Sequence, residues 1–290
     1  MQVRLGCGQI TWRGLPDDAA LDDIRRAGYE GAPWSPRHGE NAEEIKAYFD
    51  GRGLDVAPGY LWGDFWDAAR RAENIAAARR YAELSKELGL TEVYVSAGGF
   101  DRPTASGRTR RQAVGHVTAE DALPEPEFRQ LADTLQAVGE VMLGLGVRAC
   151  YHNHAGTFVE TEDEIERLLA AVDPDVVFLG PDTGHLAWAG VDVVEFARRH
   201  ATRIKTMHLK DVVPAVRDEG AAAGWDYKTF EEHGIWTEIN EGGVDFTGLF
   251  SVLDGVDFDG WLIVETDVTQ KASPLESATA SRKNLRELGI

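Results

Sequence analysis

Sulfur and positive charge are both scarce in this chain. Its 290 residues include two cysteines, Cys7 and Cys150, and three methionines. Two cysteines without Cys-x-x-Cys spacing exclude a disulfide framework and a dithiol redox motif; both are expected to be buried, reduced thiols used as small hydrophobes. Lysine and arginine number 30 against 49 acidic residues, a formal net charge of −19. A surface of that sign repels phosphate backbones and anionic lipid, so neither nucleic acid nor membrane is an expected partner. No apolar run approaches the roughly 18 residues of a membrane span. The chain opens on strand-like residues, Gln2–Ile10, and not on a basic segment with an apolar leader. A cytoplasmic location is expected. Low-complexity tracts and repeats longer than a strand–helix unit are missing too.

What the chain does have is regular alternation. Strands are predicted at Val3–Ile10, Tyr29–Pro33, Leu54–Leu61, Glu92–Ala97, Val147–His152, Val176–Leu179, Ile204–Leu209 and Trp261–Val264. Helices are predicted at Asp17–Ala27, Ala42–Arg52, Trp66–Leu88, Glu125–Leu145 and Pro274–Leu288. Another follows the capping box Thr161-Glu162-Asp163-Glu164, with Ile165, Leu168, Leu169 and Val172 at i, i+3, i+4 and i+7. Eight strands interleaved with helices and no linker predict one α/β domain over residues 1–290, a (β/α)8 TIM barrel, a fold that takes about 250 residues. Two segments exceed ordinary βα turns. Gly98–Leu123 carries Arg102, Arg108, Arg110 and Arg111, suited to holding an anion, covering a substrate or lying solvated. Asp211–Asp245 carries Trp225, Tyr227, Phe230 and Trp236, so it reads as a lid or as an arm onto a second subunit.

Polar residues able to bind a metal stand where the later strands stop: His152-Asn153-His154, Asp182-Thr183-Gly184-His185, His208-Leu209-Lys210-Asp211 and Glu265-Thr266-Asp267. Parallel barrels keep their chemistry at this carboxyl edge. Strand alternation places Thr206, His208 and Lys210 on one face, Trp261, Ile263 and Glu265 on another, and Cys150, His152 and His154 on a third. Each has a duller use: Asp182 as a turn residue, His208 as a core histidine. A buried carboxylate such as Glu265, however, needs a cation. Together, imidazole and two carboxylates suit Mn²⁺, Mg²⁺, Co²⁺ or Zn²⁺.

The stretches Tyr151-His152-Asn153-His154-Ala155-Gly156-Thr157, Asp182-Thr183-Gly184-His185, Met207-His208-Leu209-Lys210-Asp211, Gly234-Ile235-Trp236-Thr237-Glu238 and Glu241-Gly242-Gly243-Val244-Asp245-Phe246 carry a family resemblance. The chain resembles the xylose isomerase-like TIM barrels of sugar isomerases and epimerases and, within them, the inosose dehydratases of myo-inositol catabolism. One departure is Gly31-Ala32-Pro33-Trp34, where dehydratase-like chains usually carry an acidic residue after Gly. The resemblance implies a divalent metal, Mn²⁺ or Co²⁺ before Mg²⁺ or Zn²⁺, on Asp182, His208 and Glu265. A fourth ligand comes from beyond the fifth strand, Glu160 or alternatively His152. It also implies loss of water from 2-keto-myo-inositol or a related keto-cyclitol through an enediolate. The alternative is isomerisation or epimerisation of a ketose by the same chemistry. Glu265 or His154 is the expected base, Lys210 the oxyanion stabiliser, and His185 or His154 the aid to the departing hydroxyl. His152, Asn153, Trp12 and Trp236 are the expected substrate contacts. The expected partner is a small polyol or keto-sugar, with a homo-oligomer compatible.

Overall fold

The computed structural model describes residues 1–290 apart from the side chain of Asp17. The strands are β1 (Gln2–Cys7), β2 (Gly31–Pro33), β3 (Asp55–Ala57), β4 (Tyr60–Gly63), β5 (Glu92–Ala97), β6 (Arg148–Tyr151), β7 (Val177–Leu179), β8 (Met207–Leu209), β9 (Asp211–Val212), β10 (Trp236–Thr237) and β11 (Asp259–Val264). The helices are α1 (Asp17–Ala27), α2 (Ala42–Asp50), α3 (Arg71–Glu87), α4 (Arg110–Ala113), α5 (Glu125–Gly144), α6 (Glu162–Ala171), α7 (Thr183–Trp188), α8 (Val193–His200), α9 (Pro214–Ala223), α10 (Tyr227–Glu232), α11 (Phe246–Asp254) and α12 (Pro274–Glu287).

Two parallel sheets, ordered β3-β2-β1-β11-β8 and β4-β5-β6-β7, form the barrel wall. Parallel bridges from Leu179 to Ile204 and from Asp182 to His208 join them on one side. On the other, the chain passes from β3 to β4 through Pro58-Gly59. The single strand expected at Leu54–Leu61 is therefore two strands. A proline has no N–H for the ladder, so the first half pairs with β2 and the second with β5. The seventh barrel strand is likewise shorter than Ile204–Leu209: Ile204 makes one bridge, and the regular strand starts at Met207.

Alternation along the strands separates two apolar volumes. Ala57, Tyr94, Trp261 and Ile263, with Tyr60 against them, fill the barrel interior. Leu262 and Val264, the alternate residues of β11, join the larger core between sheet and helices. Thr206 crosses the interior: its hydroxyl lies 2.5 Å from Tyr94 Oη and donates to Trp261 O at 3.0 Å. Helix α6 begins as its capping box predicts, with Glu164 N donating to Thr161 Oγ1 and Thr161 N to Glu164 Oε2.

Both long segments are ordered architecture. In the first, Arg102 pairs with Glu127, Arg108 with Asp121, Arg110 with Glu164 and Arg111 with Asp101. These arginines pin the segment down, which weighs against a free anion cradle. In the second, β9 and β10 pair antiparallel around α9 and α10, with Phe230 and Trp236 fully buried. Among the described residues no helix is long and apolar enough to cross a membrane. Cys7 and Cys150 are buried free thiols.

Candidate active site

The carboxyl ends of β6, β7, β8 and β11 deliver His152, Asp182, His208 and Glu265 to one point. Asp182 follows β7 and caps α7, its Oδ1 accepting from Gly184 N at 2.9 Å and His185 N at 3.0 Å. Asn153 fixes this turn from the side, accepting from Asp182 N and donating to Asp182 O. It holds a neighbour in place and does not line the cavity. Asp182 Oδ2 stays free of hydrogen bonds although it is fully buried.

Three groups surround that oxygen. His152 Nε2 lies 3.9 Å away, His208 Nδ1 3.8 Å and Lys210 Nζ 3.3 Å. His152 Nδ1 lies 3.1 Å from Gly180 O. A proton on Nδ1 satisfies that carbonyl and leaves the Nε2 lone pair for the Asp182 side, the usual device for orienting a metal-binding imidazole. Both ring nitrogens of His208 lack hydrogen-bond partners, while Nδ1 is 3.2 Å from Glu265 Oε2. Glu265 is seated against Gly8, just past the end of β1; a Cβ there would fall 1.9 Å from Glu265 Oε1 and would push the carboxylate from its place. His152, Asp182 and His208 could hold a metal ion, their ligand atoms lying within 4.8 Å of one another, with Glu265 beside His208. Orphaned, buried oxygen and nitrogen atoms aimed at a common point fit a divalent cation.

A second cluster adjoins the first. Lys210 Nζ is 2.6 Å from Asp267 Oδ1, 3.2 Å from Glu265 Oε2 and 3.4 Å from His185 Nε2. The rings of His154 and His185 are in tilted contact, 34° between planes and 3.7 Å between centroids, and His154 Nδ1 lies 2.8 Å from Ala155 O.

Burial sets the protonation states, and the charges decide where it loses. It pushes His152 and His185 well below the ordinary imidazole range, aided by His208 and His154 respectively. It takes His154 down to about 4, with Lys210 adding to the effect. All three are neutral at pH 7. Burial also opposes the Lys210 ammonium, yet Asp182, Asp267 and Glu265 together hold it well above the usual lysine value. Glu265 is held well below the carboxylate range by His208 and Lys210 against its own desolvation. Asp182 is raised by desolvation, with Lys210 and His208 opposing.

The cavity over these groups is about 420 Å³, within the roughly 300–1,000 Å³ of small-ligand sites. His152, His154, His208, Lys210, Glu265 and Asp267 form its floor, and Tyr60, Trp62, Phe100 and Tyr227 its aromatic walls.

Besides Asn153, three expected positions need correction. Glu160 is not brought to the point where His152, Asp182 and His208 meet. It is buried with Oε1 accepting from Gly115 N at 2.8 Å and Oε2 from Gly156 N at 2.6 Å, and Arg110 lies 3.8 Å away. Gly156 turns there with φ of +80°, so Glu160 ties together the two loops beside the cavity, and His152 is the residue from this part of the chain that lies beside Asp182 and His208. Trp236 lies behind the floor, its ring 5.1 Å from His185 and beneath Lys210 Nζ. Trp12 lines an adjoining cavity, not the main one. Tyr60 was not expected in the site, while Asp267 and Tyr227 were expected only as part of the strand end Glu265-Thr266-Asp267 and of the long segment, without roles of their own. Asp267 shares a strand face with Glu265 by the two-residue rule, a signal that was available; Tyr60 depended on where the third strand breaks.

Residues 21–288 match the family described as xylose isomerase-like TIM barrel. The inosose dehydratase of Geobacillus kaustophilus is 31% identical over 274 residues, covering 91% of this chain and 87% of that protein. Among solved structures, the 3-keto-D-glucoside 4-epimerase YcjR of E. coli superposes with a TM-score of 0.71 at 16% identity over 99% of both chains. The IolI protein, described with a bound zinc atom, gives 0.70 at 16% identity, covering 98% of this chain and 97% of that one. The chain belongs to the xylose isomerase-like TIM barrel family, and within it to the inosose dehydratase-like enzymes.

Proposed function

We propose that this enzyme removes water from 2-keto-myo-inositol or a closely related keto-cyclitol, with a divalent ion held by Asp182, His152 and His208 and with Glu265 alongside. The nitrogen and oxygen donors suit Mn²⁺ or Co²⁺, with Mg²⁺ and Zn²⁺ also compatible. Such an ion, when bound, polarises a ketone and so acidifies the neighbouring C–H.

One observation carries the reading: a neutral base and a charged acid face the same point. His154, neutral at pH 7 with its Nδ1 proton engaged by Ala155 O, has a free Nε2 to take the proton next to the ketone. That step leaves an enediolate on the substrate. Lys210, kept protonated by three carboxylates, offsets the new charge and gives its proton to the departing β-hydroxyl, which leaves as water. His154 has then gained one proton and Lys210 lost one. His185, in ring contact with His154 and 3.4 Å from Lys210 Nζ, is placed to return it. The segment over Asp211–Asp245 supplies Tyr227 and Glu231 to the cavity wall and serves as its cover.

The test is product analysis with chelator-treated protein, Mn²⁺ or Co²⁺ restored, and keto-inositol beside a panel of ketoses. The expected product, a ketone conjugated to an enol, absorbs in the near ultraviolet, and His154→Gln suppresses both that band and α-proton exchange. If water is lost from no keto-inositol while a ketose is epimerised with solvent exchange, the reaction is isomerisation.

A further inference from the structure

Lys210, Arg111 and Arg13 line the main cavity, and the first two are committed to the protein. Lys210 Nζ lies 2.6 Å from Asp267 Oδ1. Arg111 Nε donates to Asp101 at 2.9 Å, with its guanidinium 4.5 Å over the Phe100 ring. Arg13 is different. Its side chain is 54% exposed, and among the described residues its guanidinium donates no hydrogen bond. Nη1 comes no closer than 3.8 Å to Glu231 Oε1, and Nη2 no closer than 3.9 Å to Asp267 Oδ2. Both separations exceed hydrogen-bond length.

Glu231 is in the matching condition. It reaches the cavity from α10, whereas Arg13 stands in the loop between β1 and α1. The Glu231 side chain is 18% exposed, and among the described residues its carboxylate accepts no hydrogen bond. Burial lifts its carboxyl above the ordinary value, with Arg13 opposing, as befits a carboxylate short of donors. The proton transfers proposed above use neither residue. A guanidinium only donates and a carboxylate only accepts, whereas a hydroxyl does both. Two adjacent hydroxyls of a polyol therefore satisfy one group of each kind. Asp267 gives the direction: Oδ1 faces Lys210 and Oδ2 faces Arg13. A ring whose reacting carbon lies at Lys210 has its remaining hydroxyls to present to Arg13.

We propose that Arg13 and Glu231 are specificity-determining residues that clamp a vicinal diol of the substrate ring, Arg13 donating to one hydroxyl and Glu231 accepting from its neighbour. The clamp selects rings that keep both hydroxyls on the edge away from the ketone. It rests on the reading that a keto-cyclitol reacts in this cavity.

The test is calorimetric binding of myo-inositol and its mono-deoxy derivatives to the Mn²⁺-loaded protein; without a ketone none of them can react. Removing either of two adjacent hydroxyls should weaken binding about tenfold, the scale of one hydrogen bond to a charged group. Arg13→Gln and Glu231→Gln should each weaken myo-inositol to a similar extent and flatten the penalty at its own hydroxyl, leaving the penalties elsewhere in the ring. With keto-inositol as substrate, both variants should raise KM more than they lower kcat, because the contacts are the same before and during reaction. If the variants weaken every derivative by the same factor, or leave the series unchanged, the pair is an ion pair at the rim and the clamp is overturned. A loss confined to kcat overturns it as well, by placing the pair in the chemistry. Failure of every derivative to bind would strike the keto-cyclitol reading and the clamp together, whereas binding with an unaltered series strikes the clamp alone.

Discussion

Lys210 has four partners within 3.4 Å, three of them carboxylates, so its neighbourhood is already set for a larger positive charge. Asp182 is the residue through which that can be tested cleanly. Its two oxygens have separate duties: Oδ1 caps α7, and Oδ2 faces the imidazoles. Asp182→Asn keeps a cap acceptor and removes the charge. The variant should fold, retain little Mn²⁺ by metal analysis after desalting, and lose turnover. Asp182→Ala should do the same at a further cost of about 1 kcal/mol for the lost cap; retention of Mn²⁺ by both would show that the cation-binding set is elsewhere. Glu160 makes a second case, in which charge is resisted. Desolvation takes its carboxyl up to about 7 despite Arg110 and two backbone N–H donors. With the folded value above the unfolded one, the folded state binds the extra proton between about pH 4.5 and 7. Stability attributable to this group is therefore present at low pH and lost as pH rises through that window, by at most about 3 kcal/mol. Glu160→Gln should flatten this part of the pH–stability curve measured by denaturant unfolding, whatever it does to stability at a single pH. An unchanged slope would mean that Glu160 stays ionised in the fold.

At the scale of elements, what was legible in the sequence was whatever local chemistry determines. The capping box of α6 and the bounds of α1 follow from residues within a turn or two of each other. The inward set Thr206, His208, Trp261, Ile263 and Glu265 follows from the period of a strand. Long-range partners were not legible. Glu160 stands in the sequence where a ligand would serve, and only the loop carrying Gly115, 45 residues away, shows that its carboxylate is engaged. The split of the third strand turns on which neighbour each half meets, which Pro58 hints at but does not state. Gly98–Leu123 reads as a basic loop until its acidic partners are known. The segment from β9 to β10 shows the same limit, since its aromatics announce burial but not against what. Trp236 is fully buried beneath Lys210, so Trp236→Ala should destabilise the fold by about 3–5 kcal/mol along with activity. Trp225 is only partly buried and stacks on His233, with its carbonyl 2.9 Å from His116 Nε2. Trp225→Ala should loosen the cover, raising KM more than it lowers kcat while most of the stability remains. A variant with unchanged KM and unchanged solution mass would show that this part of the segment neither covers the site nor holds a second subunit.

For the whole molecule, the barrel converts a local burden into a linkage. Asp182, Glu265 and Asp267 are carboxylates drawn together inside a protein of net charge −19, with Lys210 the cation that touches all three. Buried charge of one sign, only partly balanced, opposes folding. A divalent ion that binds the folded barrel and not the unfolded chain relieves it, and it raises stability by RT ln(1 + [L]/Kd), about 2.7 kcal/mol at a hundredfold excess over Kd. At about 2–4 °C per kcal/mol for a chain somewhat shorter than this one, saturating Mn²⁺ or Co²⁺ should raise the Tm of chelator-treated protein by roughly 5–10 °C. The shift should vanish in Asp182→Asn and persist in Glu160→Gln, because the first removes an oxygen facing the cation point and the second a carboxylate committed to two backbone amides. A shift that survives in Asp182→Asn but is lost in Glu160→Gln would return the cation to the loop beside Gly156, with Glu160 as its ligand.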